Sequence, residues 1–190
     1  MKKRIFAFSL ILVLLFSLSA PAFAVKVNES AGTADQPQYE ATRKFLADVA
    51  DSNSVEAEYL GSTTFANTAY EIVGATYSGD KSQYISHMKV LFNEKGDELI
   101  IAMEHVFDFK EADLQSVMTD VNHYNAASVG AKLYVDTENL CINAELYEIA
   151  TPETVVDVAE ISLGFMVGFT DVVYEDFQVY NNAAYFPAGQ

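Results

Sequence analysis

Residues 83–107 read QYISHMKVLFNEKGDELIIAMEHVF, and their pattern decides the fold. In the first part, Met88, Val90 and Phe92 alternate with His87 and Lys89, the period-two signature of a strand with one buried face. NEKGD (93–97) breaks the pattern, and Gly96 suits the positive φ of a tight turn. ELIIAMEHVF (98–107) is apolar again. Two strands joined by so short a turn are antiparallel neighbours.

On the N-terminal side, VEAEYL (55–60) and AYEIVGATY (69–77) are further strand patterns. Ahead of them, QYEATRKFLADVADSN (38–53) places Thr42, Phe45, Leu46 and Val49 at helical spacing. Past the hairpin, DFKEADLQSVMTDVNHYN (108–125) switches to a helical period, and Asp108 with Glu111 has the spacing of a capping box. GAKLYV, DTEN and LCINAELY (130–147) form a second hairpin, with Ala131, Leu133 and Val135 on one face and Leu140, Ile142, Ala144 and Leu146 on one face. Thr151-Pro152-Glu153 opens a last helix, Thr as N-cap and Pro at the first helical position, running to about Asp176. The expected order is α-β-β-β-β-α-β-β-α. This is an α+β domain with an antiparallel sheet of about five to six strands and helices packed on one face.

The last helix carries a further signal. At 100° per residue, Glu153, Asp157, Glu160, Gly164, Asp171 and Glu175 share one narrow stripe. The apolar remainder is far wider than the arc of a little over 100° that a helix resting on one sheet needs. A second apolar contact is expected, with another helix of the domain or with a second subunit. Gly164 and Gly168 have the spacing of close helix pairs, but they fall on or beside the acidic stripe and do not read as a dimer seam.

The first residues, MKKRIFAFSLILVLLFSLSAPAFA, have the form of a bacterial secretory leader: Lys2, Lys3 and Arg4, then an apolar run, then Ala22-Phe23-Ala24 as a cleavage pattern. The expected organisation is a signal peptide at 1–24, a flexible N-terminal segment at 25–37, the α+β domain at 38–177 and a tail at 178–190. The chain is exported on this reading, secreted or periplasmic. Its net charge is −16, and loss of the leader's three basic residues would make it −19. Charge of that sign opposes binding to nucleic acid and anionic lipid, and Asp157, Glu160 and Asp171 interrupt the last helix against membrane insertion.

No catalytic, cofactor or metal signature appears. The three histidines, His87, His105 and His123, occur in no H-E-x-x-H, H-x-H or zinc-type pairing. There is no G-x-S-x-G, no phosphate-cradling glycine loop and no EF-hand loop. The single cysteine, Cys141, lies in a strand pattern and reads as a small buried apolar residue. A thiol nucleophile would need one of the histidines beside it in space.

Asn122, His123 and Asn125 at the end of the second helix invite a reading as a binding site. With Leu114 at zero on the helical wheel, Val117, Met118 and Val121 lie within about 60°, Asn125 at about 20°, Asn122 at about 80° and His123 at about 180°. The three cannot meet while the helix persists. Asn122 and Asn125 are therefore read as a structural motif, the Asn125 amide serving the last carbonyls or the backbone leaving toward the next strand.

The helix ending in VNHYN (121–125), the lysine-bearing strand AKLYV (131–135), the short acidic turn, LCINAELY (140–147) and the long helix together resemble the YbjN-like domain family. That family often shows N-x-x-N at this helix end with an aromatic before the second Asn, here Tyr124. The resemblance runs from about Tyr39 to Phe177 and is densest from Leu114 to Tyr147. It implies a fold similar to type III secretion chaperones, which bind extended protein segments and often dimerise. It further implies a non-catalytic module of a kind described as regulating sensory transduction. No catalytic residues come with it. Asn139 stands where a glycine is expected in the turn, and an exported chain departs from the cytoplasmic setting of secretion chaperones. The function expected is an exported, non-enzymatic protein- or peptide-binding module, without cofactors, acting through its sheet or by pairing with itself as a homodimer. The alternative is a secreted hydrolase with a dispersed active site.

Overall fold

A computed structural model of the chain describes residues 36–50, 55–77, 86–128 and 130–180. The leader expected at 1–24, nearly all of the segment 25–37 and the tail beyond Tyr180 lie outside the described residues. The elements run α1 (Glu40–Val49), β1 (Val55–Phe65), β2 (Thr68–Tyr77), β3 (Ser86–Asn93), β4 (Glu98–Asp108), a 3-10 turn (Glu111–Asp113), α2 (Leu114–Ala127), β5 (Lys132–Asp136), β6 (Cys141–Ile149), α3 (Val155–Phe177) and a final 3-10 turn (Gln178–Tyr180). Among the described residues six strands join one sheet in the order β1-β2-β3-β4-β6-β5, every pair antiparallel. The fold is α+β.

Alternation in β3 works as the hairpin pattern requires. Met88, Val90 and Phe92 enter the main core beneath the helices, and Leu91 joins a smaller cluster with Tyr70, Ile72 and Ile100 on the opposite face. The β3–β4 turn is built by Asn93 and Gly96. Gly96 has φ +66 and donates its N–H to the Asn93 carbonyl at 3.1 Å, while the buried Asn93 side chain donates to Asp97 Oδ1 at 2.6 Å. In the turn between β1 and β2, Ala66 and Asn67 both have positive φ, as a two-residue hairpin that matches strand twist requires.

The helices lie side by side on one face. α1 packs over β1 and β2, α3 over β4 and its neighbours, and α2 over β5. α1 is pinned by a buried carboxylate: Glu71 on β2 accepts the Gln38 and Tyr39 amides at 2.5 and 3.0 Å, just ahead of the first turn. Backbone donors exposed at a helix N-terminus favour such an anion. Phe45 of α1 then meets the Phe92 ring at 5.4 Å.

α3 occupies the middle place, which accounts for its wide apolar arc. It touches the sheet below, α1 on one side, and α2 through Tyr124, whose ring lies 5.7 Å from Phe169 and 6.2 Å from Phe177. The second apolar contact is thus made within the domain.

Several local expectations shift. Asp108 does not cap α2: β4 continues through Asp108, and the helix begins after a 3-10 turn with no side-chain cap. Met118 is exposed rather than inward. α3 begins at Val155 because Thr151–Thr154 close a turn first, in which the Thr151 carbonyl accepts the Thr154 and Val155 amides at 2.9 Å. In the β5–β6 turn the left-handed residue is Leu140, φ +54, so no glycine is needed at Asn139. Asp136 organises that turn, its Oδ1 accepting the Glu138 and Asn139 amides at 2.9 and 3.0 Å.

Candidate functional site

Among the described residues, side chains able to bind or react gather first at three places. At the end of α2, the Asn125 side chain clamps β5: its Nδ2 donates to the Leu133 carbonyl at 2.8 Å and its Oδ1 accepts the Leu133 amide at 2.9 Å. One side-chain amide thereby occupies the place of a further strand along the sheet edge. Lys132 Nζ completes the corner, donating at 2.9 Å to both the Asn125 and Ser128 carbonyls at the helix end. Asn122 and His123 are exposed and take no part in this clamp. The stretch binds its own backbone.

The second place is the β4 bulge. Between Met103 and Phe107, β4 advances four residues while β6 advances two, from Ala144 to Ile142. His105 sits in this irregularity with φ +53, a left-handed conformation uncommon outside glycine that His, Asn and Asp adopt more readily than other side chains. Its amide is held by Asn143 Oδ1 at 2.8 Å, and its Nδ1 lies 3.2 Å from Asp108 Oδ1. Beyond the bulge Asp108 pairs with Cys141, and Cys141 pairs in turn with Asp136, so the three stand abreast on β4, β6 and β5. One donor atom each from His105, Asp108 and Cys141 falls within 4.8 Å of the others. Burial, with the charges of Asp136 and Asp108 added, pushes the Cys141 thiol up to about 12. On the same face, burial lifts the Glu145 carboxyl to about 7 and, with the Glu145 charge, the Tyr134 hydroxyl to about 12.

The sequence pattern alone does not bring these three residues together. Strict alternation puts His105 on the same side as Met103, and only the extra residues of the bulge turn it out toward Asp108 and Cys141. His87 and His123 remain elsewhere, on β3 and α2.

The third place is the outward face of α3. Ile161, Phe165 and Val172 are 74%, 46% and 49% exposed. Gly164 and Gly168 lie among them with nothing within 4 Å of where a Cβ would stand. Asp157, Glu160 and Glu175 border this strip and are also exposed. A shallow depression of about 230 Å³ between α1, the β3–β4 turn and Pro152 holds both signs of charge, from Lys44 and Lys95 to Glu40 and Glu94. Among the described residues no helix is long and apolar enough to cross a membrane.

No family model, curated protein or solved structure matches the chain.

Proposed function

We propose that the protein is an exported, non-enzymatic module that docks a protein or peptide on the outward face of α3. The observation that carries this reading is the strip of Ile161, Phe165 and Val172, apolar and exposed on the one helix already packed on its other sides. Contiguous exposed apolar surface of this kind marks interaction sites, and Gly164 and Gly168 allow close approach of a partner. The occupant that fits is an amphipathic segment with an apolar stripe and basic flanks. Asp157, Glu160 and Glu175 would pair with such flanks, whereas a second copy would bring two acidic borders together. Export rests on the leader pattern at 1–24, and the resemblance to YbjN-like domains supports a binding role, chaperone-like or regulatory.

The hydrolase alternative has one observation in its favour, the nearness of His105, Asp108 and Cys141. The electrostatics oppose it. Thiol nucleophiles are activated by cationic surroundings that lower the pKa, and here burial and carboxylates raise it.

The test uses a labelled helical peptide with leucines on one face and lysines on the other, titrated against the full-length chain by fluorescence anisotropy. Ile161→Asp adds a negative charge, so adhesion by charge alone would strengthen. Docking on the strip predicts at least about tenfold weaker binding, since burying an isoleucine contributes ~1.5–3 kcal/mol. Unchanged or tighter binding would overturn the proposal. Light scattering that finds a dimer dissolved by the same substitution would assign the face to a second copy instead.

A further inference from the structure

We propose that His105, Asp108 and Cys141 form a binding site for a divalent transition-metal cation of the zinc class. This site is separate from the α3 face, and neither proposal depends on the other.

The donor set is the first support. An imidazole nitrogen, a carboxylate oxygen and a thiolate sulfur are the ligand types that zinc-class cations select, whereas calcium and magnesium take oxygen alone. Geometry is the second. Bonds of 2.0–2.3 Å arranged tetrahedrally put neighbouring donors about 3.3–3.7 Å apart. His105 Nδ1 and Asp108 Oδ1 are already 3.2 Å apart, and all three donors lie within 4.8 Å of one another. The remaining contraction is within reach of the His105 side chain, which is 43% exposed.

The way the site is assembled is the third. Cys141 is fixed by burial in β6, and Asp108 by its cross-strand pairing with Cys141. His105 reaches them through the bulge and a left-handed backbone, the same irregularity that lets the adjacent Val106 and Phe107 both enter the core. Asn143 Oδ1 holds that backbone in place through the His105 amide, as an outer group that orients a ligand does. The same oxygen accepts the Cys141 thiol at 3.5 Å, a hydrogen bond given up when the sulfur deprotonates to bind the ion.

The surrounding charge is of the right sign. Asp136 stands across from Cys141 and its carboxylate stays in the turn, where it adds negative charge without serving as a ligand. The carboxylates that flank Cys141 across both neighbouring strands attract a dication. On coordination the thiol proton leaves to solvent, and the metal–sulfur bond takes its place.

The test is titration of the full-length chain with Zn²⁺ alone by calorimetry and with Co²⁺ alone by absorption. The expected result is one ion per chain and a thiolate-to-cobalt charge-transfer band that Cys141→Ser abolishes. His105→Gly suits φ +53 and keeps the backbone relaxed, so it should fold yet bind Zn²⁺ at least about tenfold more weakly; Asp108→Asn should do the same. His87→Ala and His123→Ala should bind as the unaltered chain does. Absence of the cobalt–thiolate band, or Zn²⁺ affinity unaltered in His105→Gly, would overturn the assignment.

Discussion

Replacing Asn125 by alanine tests the link from sequence to fold at its most specific point. The side chain makes two hydrogen bonds to one residue, to the Leu133 amide at 2.9 Å and to its carbonyl at 2.8 Å. Among the described residues β5 ends the sheet and pairs with β6 alone, so these two backbone groups face away from the ladder. Each neutral hydrogen bond contributes about 0.5–1.5 kcal/mol net, and a partly buried group left unpaired costs somewhat more. The loss should therefore be about 2 kcal/mol. For a domain of this size that lowers Tm by roughly 4–8 °C. Urea unfolding followed by circular dichroism reads the free energy, and amide exchange at Leu133 reads the local opening. Asn125→Asp is the sharper variant: it keeps an acceptor for the Leu133 amide but aims a carboxylate at the Leu133 carbonyl, so it should cost at least as much. His123→Ala, on the exposed side of α2, should stay within ~0.5 kcal/mol of the unaltered protein. A loss below about 0.5 kcal/mol for Asn125→Ala, or a larger loss for His123→Ala, would refute the clamp.

Two further outcomes follow from buried carboxylates. Glu145 has its pKa raised to about 7 from 4.5 by burial, so between those values the folded state holds more protons than the unfolded chain. Its contribution to stability must fall as pH rises from about 4.5 to about 7 and stay flat above. Glu145→Gln should remove that slope and raise stability at pH 8 by on the order of 1–3 kcal/mol; a side-chain NMR titration with its midpoint near 4.5 would contradict this. Glu71→Gln removes the charge that receives the Gln38 and Tyr39 amides and should cost about 1–3 kcal/mol in chemical denaturation, with α1 loosening first in hydrogen exchange. Equal protection of α1 in both proteins would remove Glu71 as its anchor.

What the sequence made legible were the features with strong period. The alternation of Met88, Val90 and Phe92 and the glycine at 96 specify the central hairpin, because a one-residue slip would turn that whole face to solvent. The helical spacing of Thr42, Phe45 and Val49 likewise marks the buried side of α1. The width of the apolar arc of α3 showed that it meets more than a sheet, but not that α1 and α2 supply the extra contacts. That depends on which strand each helix covers, a tertiary fact. The boundaries were less legible. Asp108 and Glu111 have the spacing of a cap, yet the bulge carries β4 through Asp108 and spends its carboxylate near His105. The candidate metal site lay beyond sequence reasoning for the same reason. A two-residue irregularity in register joins residues 105, 108 and 141, and nothing in EHVFD announces a left-handed histidine.

The binding face is proposed to lie on α3. The most direct test of that placement is chemical-shift mapping of the full-length chain with the leucine–lysine peptide. Docking there concentrates the shifts at Ile161, Gly164, Phe165, Gly168 and Val172, saturating with one peptide per chain. Shifts gathered instead on the sheet face opposite the helices, around the exposed Tyr147 and Ile149, would overturn the proposal.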